Sequence, residues 1–203
     1  MKKNGRFGLI SLGSNAISPW GDRTETIRKA MLVLQELTQT HSQTSQLYET
    51  PAFPVGSGPN FVNAVVAFYT QMSSTALLTQ LHAIEAQASR TRTKRWGPRT
   101  LDLDLIALGD EVSPDLPTYQ RWVDLPLQDQ MSQTPDQLIL PHPRMHERAF
   151  VLVPLADVAP SWIHPVLGRS TLEMRDACET VDLKSVVPHY RVFMNLVAHT
   201  HAP

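Results

Sequence analysis

The hydrophobic and polar positions in the first half of the chain change period several times, from that of a strand to that of a helix. Residues 7–12 form an apolar run that ends at the turn sequence G-S-N of residues 13–15, which predicts a buried strand. Apolar residues at helical spacing then follow Asp22 or Thr24. Either residue can cap a helix that ends near Thr38.

The same patterns continue to residue 108 and define an order of elements. They predict strands at residues 44–49, 61–69 and 100–108, and a helix that begins after Ser73 or Ser74. The resulting order is strand, helix, strand, strand, helix, strand, which is that of a ferredoxin-like βαββαβ fold. The sequence therefore predicts an α/β (α+β) sandwich, in which an antiparallel sheet packs both helices on one face.

The second half of the chain is harder to assign to that fold. Residues 110–137 are rich in Pro, Asp and Gln and predict either an ordered surface excursion or a flexible insert. The short apolar runs 138–140 and 149–155 predict added strands or a final hairpin. From residue 168 onward the sequence shows one weak helical pattern. We therefore expect a single domain over residues 1–203, with an insert and a poorly defined C-terminal extension.

The composition is that of an ordinary globular protein. The chain has 203 residues, 42% of them hydrophobic, and a formal net charge of -1, which argues against general nucleic-acid binding. Its single cysteine, Cys178, excludes an intramolecular disulfide and fits a reducing compartment. The apolar run after the basic start is too short for a signal peptide or a membrane span. We expect a cytoplasmic monomer that binds neither membranes nor nucleic acid.

The candidate chemistry is concentrated between residues 90 and 104, which read R-T-R-T-K-R-W-G-P-R-T-L-D-L-D. Asp102 and Asp104 lie two positions apart on a predicted strand, so both project from one face with Cα atoms roughly 6.5–7 Å apart. Two such carboxylates suit Mg²⁺, which takes oxygen ligands and completes its shell with waters and substrate phosphates. The alternative is a pair of solvent-facing acids on an edge strand after a solvated basic loop. The neighbouring arginines favour the metal site.

These arginines are candidates for holding phosphates. Neither G-x-x-x-x-G-K-[ST] nor G-x-G-x-x-G occurs in the sequence, so arginines and metal would replace a glycine-rich loop. Guanidinium groups donate in forks to phosphoryl oxygens and stay charged throughout transfer. The candidates are Arg90, Arg92, Arg95, Arg99 and Arg148.

Two further residues near this region allow more than one interpretation. Trp96 could stack on a ligand or only pin its loop. Glu85 lies on the apolar stripe of the second predicted helix, where an unpaired acid is costly to bury. It therefore lies either at the open margin of the stripe or beside a polar site.

Motifs spread along the chain occur in a specific order. They are G-S-N at residues 13–15, Y-E-T-P at 48–51, F-V-N at 61–63, I-E at 84–85, R-x-R at 90–92, R-W-G-P-R-T-L-D-L-D at 95–104, P-H-P at 141–143 and R-A-F at 148–150. Together they resemble the 6-hydroxymethyl-7,8-dihydropterin pyrophosphokinase family, over roughly residues 7–165. The ten-residue run is the most specific of them.

The resemblance implies an ATP- and Mg²⁺-dependent enzyme of tetrahydrofolate biosynthesis. Such an enzyme moves a pyrophosphoryl group from ATP to the hydroxymethyl oxygen of the pterin and releases AMP. By the resemblance, Asp102 and Asp104 would hold two Mg²⁺ ions and act with Arg90 and Arg99 as catalytic residues. The other ATP contacts would be Glu85, Arg92, Arg95, Trp96, His142 and Arg148, and the pterin contacts would be Thr50, Pro51, Phe53, Phe61, Asn63 and Phe150.

The residue types at the implied pterin contacts fit such a ligand. A flat heteroaromatic ring requires aromatic faces, which Phe61 and Phe150 can supply. Its amino, amide and ring nitrogens require directional partners, which Asn63 and the backbone around Thr50 can supply. Without the resemblance, both phenylalanines would be interpreted as core residues.

Two other functions compete with this interpretation. Another Mg²⁺-dependent transferase, such as a nucleotidyl- or glycosyltransferase, could use the D-x-D pair, but it leaves Asn63 and the Pro-His-Pro loop unexplained. A ferredoxin-like RNA-binding domain would stack bases on sheet aromatics beside basic patches. The acidic pair and the nearly neutral chain argue against that alternative.

Overall fold

The computed structural model describes residues 5–38, 42–52, 56, 58–89, 99–126, 129 and 132–189. The strands are β1 (Arg6–Ser14), β2 (Gln43–Thr44), β3 (Tyr48–Thr50), β4 (Phe61–Thr70), β5 (Asp102–Leu108) and β6 (Val187–Pro188). Within the described residues they form one antiparallel sheet of six strands, in the order β5-β1-β4-β3-β6, and β2 also pairs with β4. The central strands β1 and β4 are the longest, so the sheet has a wide buried middle.

The helices are α1 (Arg23–Thr38), α2 (Ser74–Gln87), α3 (Leu116–Val123), α4 (Ala149–Val158), α5 (Thr171–Asp176) and α6 (Thr180–Ser185), with a 3-10 turn at Met145–Glu147. The Asp22 carboxylate caps α1 by accepting hydrogen bonds from the backbone N–H groups of Thr24 and Glu25 at 2.7 and 2.9 Å. The Ser73 hydroxyl caps α2 by accepting from the N–H of Ala76 at 3.2 Å. The predicted ferredoxin-like order of elements is confirmed.

The sheet carries one apolar layer on each face. On the first face, α1 and α2 pack against alternate residues of β1 and β4, and these side chains are almost entirely removed from solvent. That cluster includes Ile10, Leu12, Ile27, Leu34, Val62, Val66, Leu77 and Leu81. On the second face, α4 and α5 cover the other residues of the same strands, including Leu9, Val65, Ala67, Ile106, Val151, Leu152 and Met174. The two predicted helices therefore share one face, and a helix absent from the prediction covers the other.

Three sequence-based predictions of secondary structure were wrong. The strand expected at residues 44–49 is split into β2 and β3, because Ser45 turns its hydroxyl to the sheet and accepts a hydrogen bond from Val65 N at 2.9 Å. The run 149–155 is helical, as part of α4, because a short apolar run has the same appearance in a buried helix and a buried strand. The run 138–140 contributes only an isolated bridge between Leu140 and Ser113.

The predicted insert and tail contain regular structure in their described parts. Asp115 caps α3 by accepting from Thr118 N at 2.8 Å, and the fully buried Tyr119 of α3 reaches His164, with 3.3 Å between its hydroxyl and Nε2. The tail forms α5 and α6, and β6 extends the sheet at the edge of β3. Within the described residues, no helix is both long and apolar enough to cross a bilayer.

Candidate active site

One row of residues crosses four strands and brings together side chains that are distant in sequence. Asp102 of β5 pairs with Gly13 of β1, Gly13 pairs with Asn63 of β4, and Asn63 pairs with Tyr48 of β3. Directly paired residues of an antiparallel sheet point to the same face. The predicted metal-binding acid and the predicted pterin-binding amide therefore share the face that α4 covers.

The second aspartate lies on the same face. Asp104 pairs with Ser11 of β1, one row further into the sheet, and both aspartates are half-buried between buried leucines of β5. The alternation expected for the D-x-D motif is thus confirmed. Within the described residues no group of three or more His, Cys, Asp or Glu side chains could hold a metal, so any ion here would rest on these two carboxylates.

Arg99 pairs directly with Asp102. Its Nη1 donates to Asp102 Oδ2, and both side chains are partly buried. Burial acts to lower the pKa of Arg99, but Asp102, followed by Asp104 and Glu85, raises it overall above its usual value. Arg99 therefore remains a cation at the mouth of the aspartate pair, where its guanidinium can donate to an incoming anion.

Arg148 approaches the aspartates from the start of α4. Burial lowers the pKa of Arg148, while the charges of Asp104 and Asp102 act in the opposite direction. The guanidinium carbon of Arg148 lies 5.6 Å from the ring centroid of Phe150 on the first turn of α4. The structure thus brings predicted phosphate and pterin contacts together at the N-terminal end of one helix.

His142 is held in a single orientation beside these cations. Its backbone N–H donates to Ile106 O of β5 at 2.8 Å, and its Nδ1 accepts from Arg144 N at 3.2 Å. Burial, together with the charge of Arg148, lowers the pKa of His142 to about 3. The imidazole is therefore neutral at physiological pH, and since Nδ1 accepts, Nε2 carries the proton and is a hydrogen-bond donor.

Among the predicted pterin contacts, Asn63 and Thr50 orient each other. Asn63 Nδ2 donates to Thr50 Oγ1 at 2.7 Å, and both residues are buried. A Cβ added at Gly13 would lie 3.2 Å from Asn63 Oδ1, 3.6 Å from Phe61 Cδ1 and 3.9 Å from Asp102 Cβ. Gly13 therefore keeps open the space between the predicted pterin contacts and the predicted metal ligand. The amide oxygen of Asn63 faces this space.

Glu85 does not lie at the open margin of the apolar stripe of α2; its side chain is buried. It is 3% exposed, and its Oε1 accepts a hydrogen bond from Leu103 N at 2.8 Å, between the two aspartates of β5. Because β5 is an edge strand, outward backbone N–H groups have no neighbouring strand to bond to. The Glu85 carboxylate accepts the hydrogen bond of one such group. Glu85 thus fixes the position of the strand that carries both aspartates.

The remaining predicted residues are placed less completely. Pro51 follows β3 and is exposed, and Phe150 is half-buried at the edge of two apolar clusters. Five predicted site residues lie outside the described residues: Phe53, Arg90, Arg92, Arg95 and Trp96. The roles expected for them stay predictions.

The structural role of the G-S-N turn was not predicted from the sequence. Asn15 N–H donates to Arg99 O at 3.0 Å, and Asn15 Oδ1 accepts from Arg99 N at 2.7 Å. Asn15 Nδ2 donates to Pro59 O at 3.2 Å, and Ser14 Oγ donates to Thr100 O at 2.6 Å. The turn therefore ties the chain before β5 to the chain before β4. An asparagine directly after a buried strand was the available signal.

Comparison with known proteins gives the family. Residues 9–160 match the model of 7,8-dihydro-6-hydroxymethylpterin-pyrophosphokinase. A Pseudomonas aeruginosa protein named 2-amino-4-hydroxy-6-hydroxymethyldihydropteridine pyrophosphokinase is 37% identical over 170 residues, which are 83% of this chain and 90% of that one. The Bacillus subtilis protein of the same name is 37% identical over 153 residues, 75% of this chain and 77% of that one.

Solved structures agree on the fold. Wild-type Plasmodium falciparum HPPK-DHPS superimposes with a TM-score of 0.55 at 16% sequence identity, over 84% of this chain. This chain spans 44% of that longer one. Taken with the match over residues 9–160, the chain belongs to the 7,8-dihydro-6-hydroxymethylpterin-pyrophosphokinase family.

Proposed function

We propose that this protein transfers the pyrophosphoryl group of ATP to the hydroxymethyl group of 6-hydroxymethyl-7,8-dihydropterin, and releases AMP, in tetrahydrofolate biosynthesis. The single observation that carries the proposal is the row Asp102, Gly13, Asn63 across the sheet. It sets the Asp102 carboxylate, which we propose binds metal, beside a buried amide that suits a heterocycle, with open space between them at Gly13.

The reaction joins the two halves of this row. The hydroxymethyl oxygen forms a bond to the β-phosphorus of ATP, and the bond from the β-phosphorus to the oxygen bridging the α-phosphate breaks. AMP leaves with that bridging oxygen, and the hydroxyl proton passes to solvent or to a phosphate oxygen. Because phosphoryl groups carry most of the charge, positioning and charge neutralisation supply most of the catalysis.

The aspartate pair fits a divalent metal. Asp102 and Asp104 share one face, are partly accessible, and already accommodate a cation, since the Arg99 guanidinium pairs with Asp102. We propose that they hold two Mg²⁺ ions together with ATP. Such ions would neutralise the triphosphate and draw the hydroxymethyl oxygen toward the β-phosphorus. Neither aspartate then needs to act as a strong base.

The cations around the aspartates form the nucleotide side of the site. Arg99 and Arg148 supply fixed positive charge, and the neutral His142 supplies an Nε2 donor for a phosphate oxygen. Glu85 acts indirectly, by holding the backbone of β5 through Leu103. Arg90, Arg92, Arg95 and Trp96 are assigned to the same side by their resemblance to the family's motifs.

The pterin side is formed by residues of β3, β4 and α4. Asn63 offers its amide oxygen to the ring's donors and is held in that orientation by Thr50. Phe61 and Phe150 supply the aromatic faces, and Pro51 and Phe53 would line the loop side. We further propose that the protein is a monomer in one domain over residues 1–203. The cytoplasmic location expected from the single cysteine stays a prediction.

The products of a simple incubation test this function. The protein is mixed with MgATP and reduced hydroxymethylpterin, and nucleotides and pterins are separated and quantified. We expect AMP and a diphosphorylated pterin in equal amounts, both dependent on the pterin. ADP formation would indicate single phosphoryl transfer, and pyrophosphate release would indicate nucleotidyl transfer. Either result, or no pterin-dependent product, would contradict the proposal.

A further inference from the structure

The C-terminal segment 186–189 contacts the pterin side of the site, although it lies beyond the residues 9–160 that match the family. In this segment β6 pairs with β3, with Val187 opposite Glu49 and Pro188 opposite Tyr48. His189 then donates its backbone N–H to Leu47 O at 2.9 Å. The segment thus forms the outer neighbour of the strand that ends in Thr50.

Glu49 is the centre of a polar network on this edge. Its carboxylate accepts from Asn60 Nδ2 at 2.9 Å and from Arg23 Nη2 at 3.1 Å, and it lies 3.5 Å from His189 Nδ1. His189 is buried, and its Nε2 lies 3.0 Å from the hydroxyl of Thr24 on α1. One carboxylate therefore connects β3, α1, the residue before β4 and the C-terminal segment.

The ionisation of Glu49 agrees with this arrangement. Burial acts to raise its pKa, but the hydrogen bond from Asn60 and the charges of Arg23 and His189 lower it overall. The carboxylate is therefore charged at neutral pH, which makes its hydrogen bonds charge-assisted.

The partners of Glu49 flank the predicted pterin contacts in sequence. Glu49 directly precedes Thr50, and Asn60 directly precedes Phe61. Thr50 and Phe61 are themselves a cross-strand pair of β3 and β4. The hydrogen bond between Glu49 and Asn60 therefore closes the end of this strand pair, at the place where both predicted contacts enter the site.

The same segment also acts on the other face of the sheet. Val186 is buried in a cluster with Tyr48 and Ala149, against which Phe150 packs. Val186 thus supports the α4 side, where Phe150 lies, while His189 supports the α1 side, where Glu49 lies. We call the region around the predicted pterin contacts Thr50, Phe61 and Phe150 the pterin wall. The C-terminal segment supports this region from both faces of the sheet.

We propose that Glu49 is a positioning residue for the pterin and that the C-terminal segment 186–189, through His189 and Val186, holds the pterin wall in its binding geometry. This inference rests on the proposed function and assigns to the chain's extension a role in substrate affinity. Glu49 does not touch the reacting atoms. It acts through Thr50 and Phe61, whose backbone positions it fixes, because binding contacts weaken when their support is loose.

Steady-state kinetics of Glu49→Ala test the proposal, with KM measured separately for each substrate. We expect KM for the pterin to rise about tenfold, which corresponds to about 1.4 kcal/mol, the scale of one lost charge-assisted hydrogen bond. KM for ATP should change less than twofold, because Arg99, Arg148 and His142 lie on the other side of the row. A purely structural role would lower the active fraction, and hence kcat, without this selective change.

Two further variants keep the test independent of folding failure. His189→Ala should raise KM for the pterin about threefold, since it removes a weaker contact of Glu49. His189→Gln, which keeps a hydrogen-bonding side chain, should return KM toward the wild-type value. The matched control is Glu111→Ala, which removes a carboxylate that joins Arg6 and Ser74, at the opposite end of β1 from Gly13. It should leave KM for both substrates unchanged.

The outcomes separate this inference from the proposed function. If the wild type forms no AMP with the pterin, the function itself fails. If the wild type is active but Glu49→Ala and His189→Ala keep its KM for the pterin, only the positioning role is wrong. An equal rise in KM for the pterin in Glu111→Ala would also overturn it, since any loss of a half-buried, hydrogen-bonded carboxylate would then have the same effect.

Discussion

The two faces of the central sheet differ in what their side chains do. On the face toward α1 and α2, alternate residues of β1 and β4 are apolar and nearly fully buried, from Ile10 and Leu12 to Val62 and Val66. On the face toward α4, only the far end is apolar, and the end that contains Gly13 and Asn63 is polar. Because neighbours in one strand point to opposite faces, Leu12 of β1 enters the apolar core while the adjacent Gly13 lies in the row proposed to bind substrate.

This division shows why the site tolerates buried polar groups. The apolar face buries surface and supplies the driving force of folding, at about 25 cal/mol for each Å². On the other face, hydrogen bonds hold polar side chains in fixed orientations, as in the pair Asn63 and Thr50 and in the pair Arg99 and Asp102. Substitutions on the two faces should therefore separate stability from activity.

The largest loss of activity should follow substitution of the aspartates. Asp102→Ala and Asp104→Ala should each nearly abolish pyrophosphoryl transfer, lowering kcat by at least about 10³-fold, because losing a proposed metal ligand would remove several kcal/mol of charge stabilisation. Pterin binding should survive better than turnover, since we propose that it depends on Asn63 and its neighbours. Circular dichroism and thermal melting would check that the variants stay folded. Near wild-type turnover in both variants would refute the metal assignment.

Arg99→Ala should have the next largest effect on activity. Its guanidinium points into the aspartate pair and can donate to charge that develops on the transferred phosphates, so kcat should fall on the order of 10² to 10³-fold. Arg121→Ala on α3 is the matched control, since Arg121 is an exposed cation away from the row, and it should leave kcat unchanged. Normal kcat with only weakened ATP binding in Arg99→Ala would assign Arg99 to positioning.

Adjacent residues of β1 offer the sharpest comparison between the two faces. Leu12→Ala should lower the free energy of unfolding by about 2–5 kcal/mol, because Leu12 is fully buried, while KM for the pterin stays unchanged. Gly13→Ala should instead raise KM for the pterin and change the free energy of unfolding little. Its new Cβ would lie 3.2 Å from Asn63 Oδ1 and fill the space at the row, so KM for the pterin should rise about tenfold.

Denaturant unfolding and substrate kinetics on both variants measure this contrast. Gly13 has no positive φ, so an added methyl group does not strain the backbone, and its cost in stability should stay below about 1 kcal/mol. A loss of stability in Gly13→Ala equal to that in Leu12→Ala would show that the faces are not separate. An unchanged KM for the pterin in Gly13→Ala would place the pterin elsewhere.

Much of the fold could be predicted because its first half follows period and cap signals closely. The strands around Leu9 and Val65 were visible as local patterns, and each helix start was narrowed to two candidate caps, of which the structure selects Asp22 and Ser73. The helix α4 could not be predicted in the same way. Its run of apolar residues is buried on most sides, so it shows no clear helical stripe, and it contains Pro154.

In the candidate site, too, features set by local sequence could be predicted, whereas contacts between distant segments could not. The D-x-D motif could be placed on one face from strand alternation alone, and its company of arginines indicated phosphate chemistry. The contacts of Asn15 with Arg99 and Pro59, and those of Glu49 with Asn60, join segments far apart in sequence. No local pattern encodes such pairs, because they depend on which strands become neighbours in the sheet.

The smallest expected effect concerns two neutral histidines, one at the site and one in the support of α3. Burial, with help from Arg148, lowers the pKa of His142 to about 3, and burial lowers that of His164 to about 4. Unfolded histidine titrates near 6.5, so between these values the unfolded chain binds more protons than the folded one. The contribution of these two histidines to the free energy of unfolding should therefore be fully present above about pH 6.5 and should be lost as the pH decreases toward 4.

Each of these histidines contributes a slope of up to about 1.4 kcal/mol per pH unit, because one proton is taken up on unfolding. Between pH 7 and pH 5, the free energy of unfolding of His142→Gln should therefore fall by about 2 kcal/mol less than that of the wild type. Denaturant unfolding at both pH values measures the difference. His164→Gln should show a similar reduction, because His164 is also buried and neutral. The two histidines are distinguished by kinetics, since only His142 is proposed to contact a phosphate, so only His142→Gln should raise KM for ATP, by displacing the fixed Nε2 donor. Wild-type pH dependence in His142→Gln would mean that His142 binds a proton as readily in the folded site as in the unfolded chain, and the lowering of its pKa by burial would then be wrong.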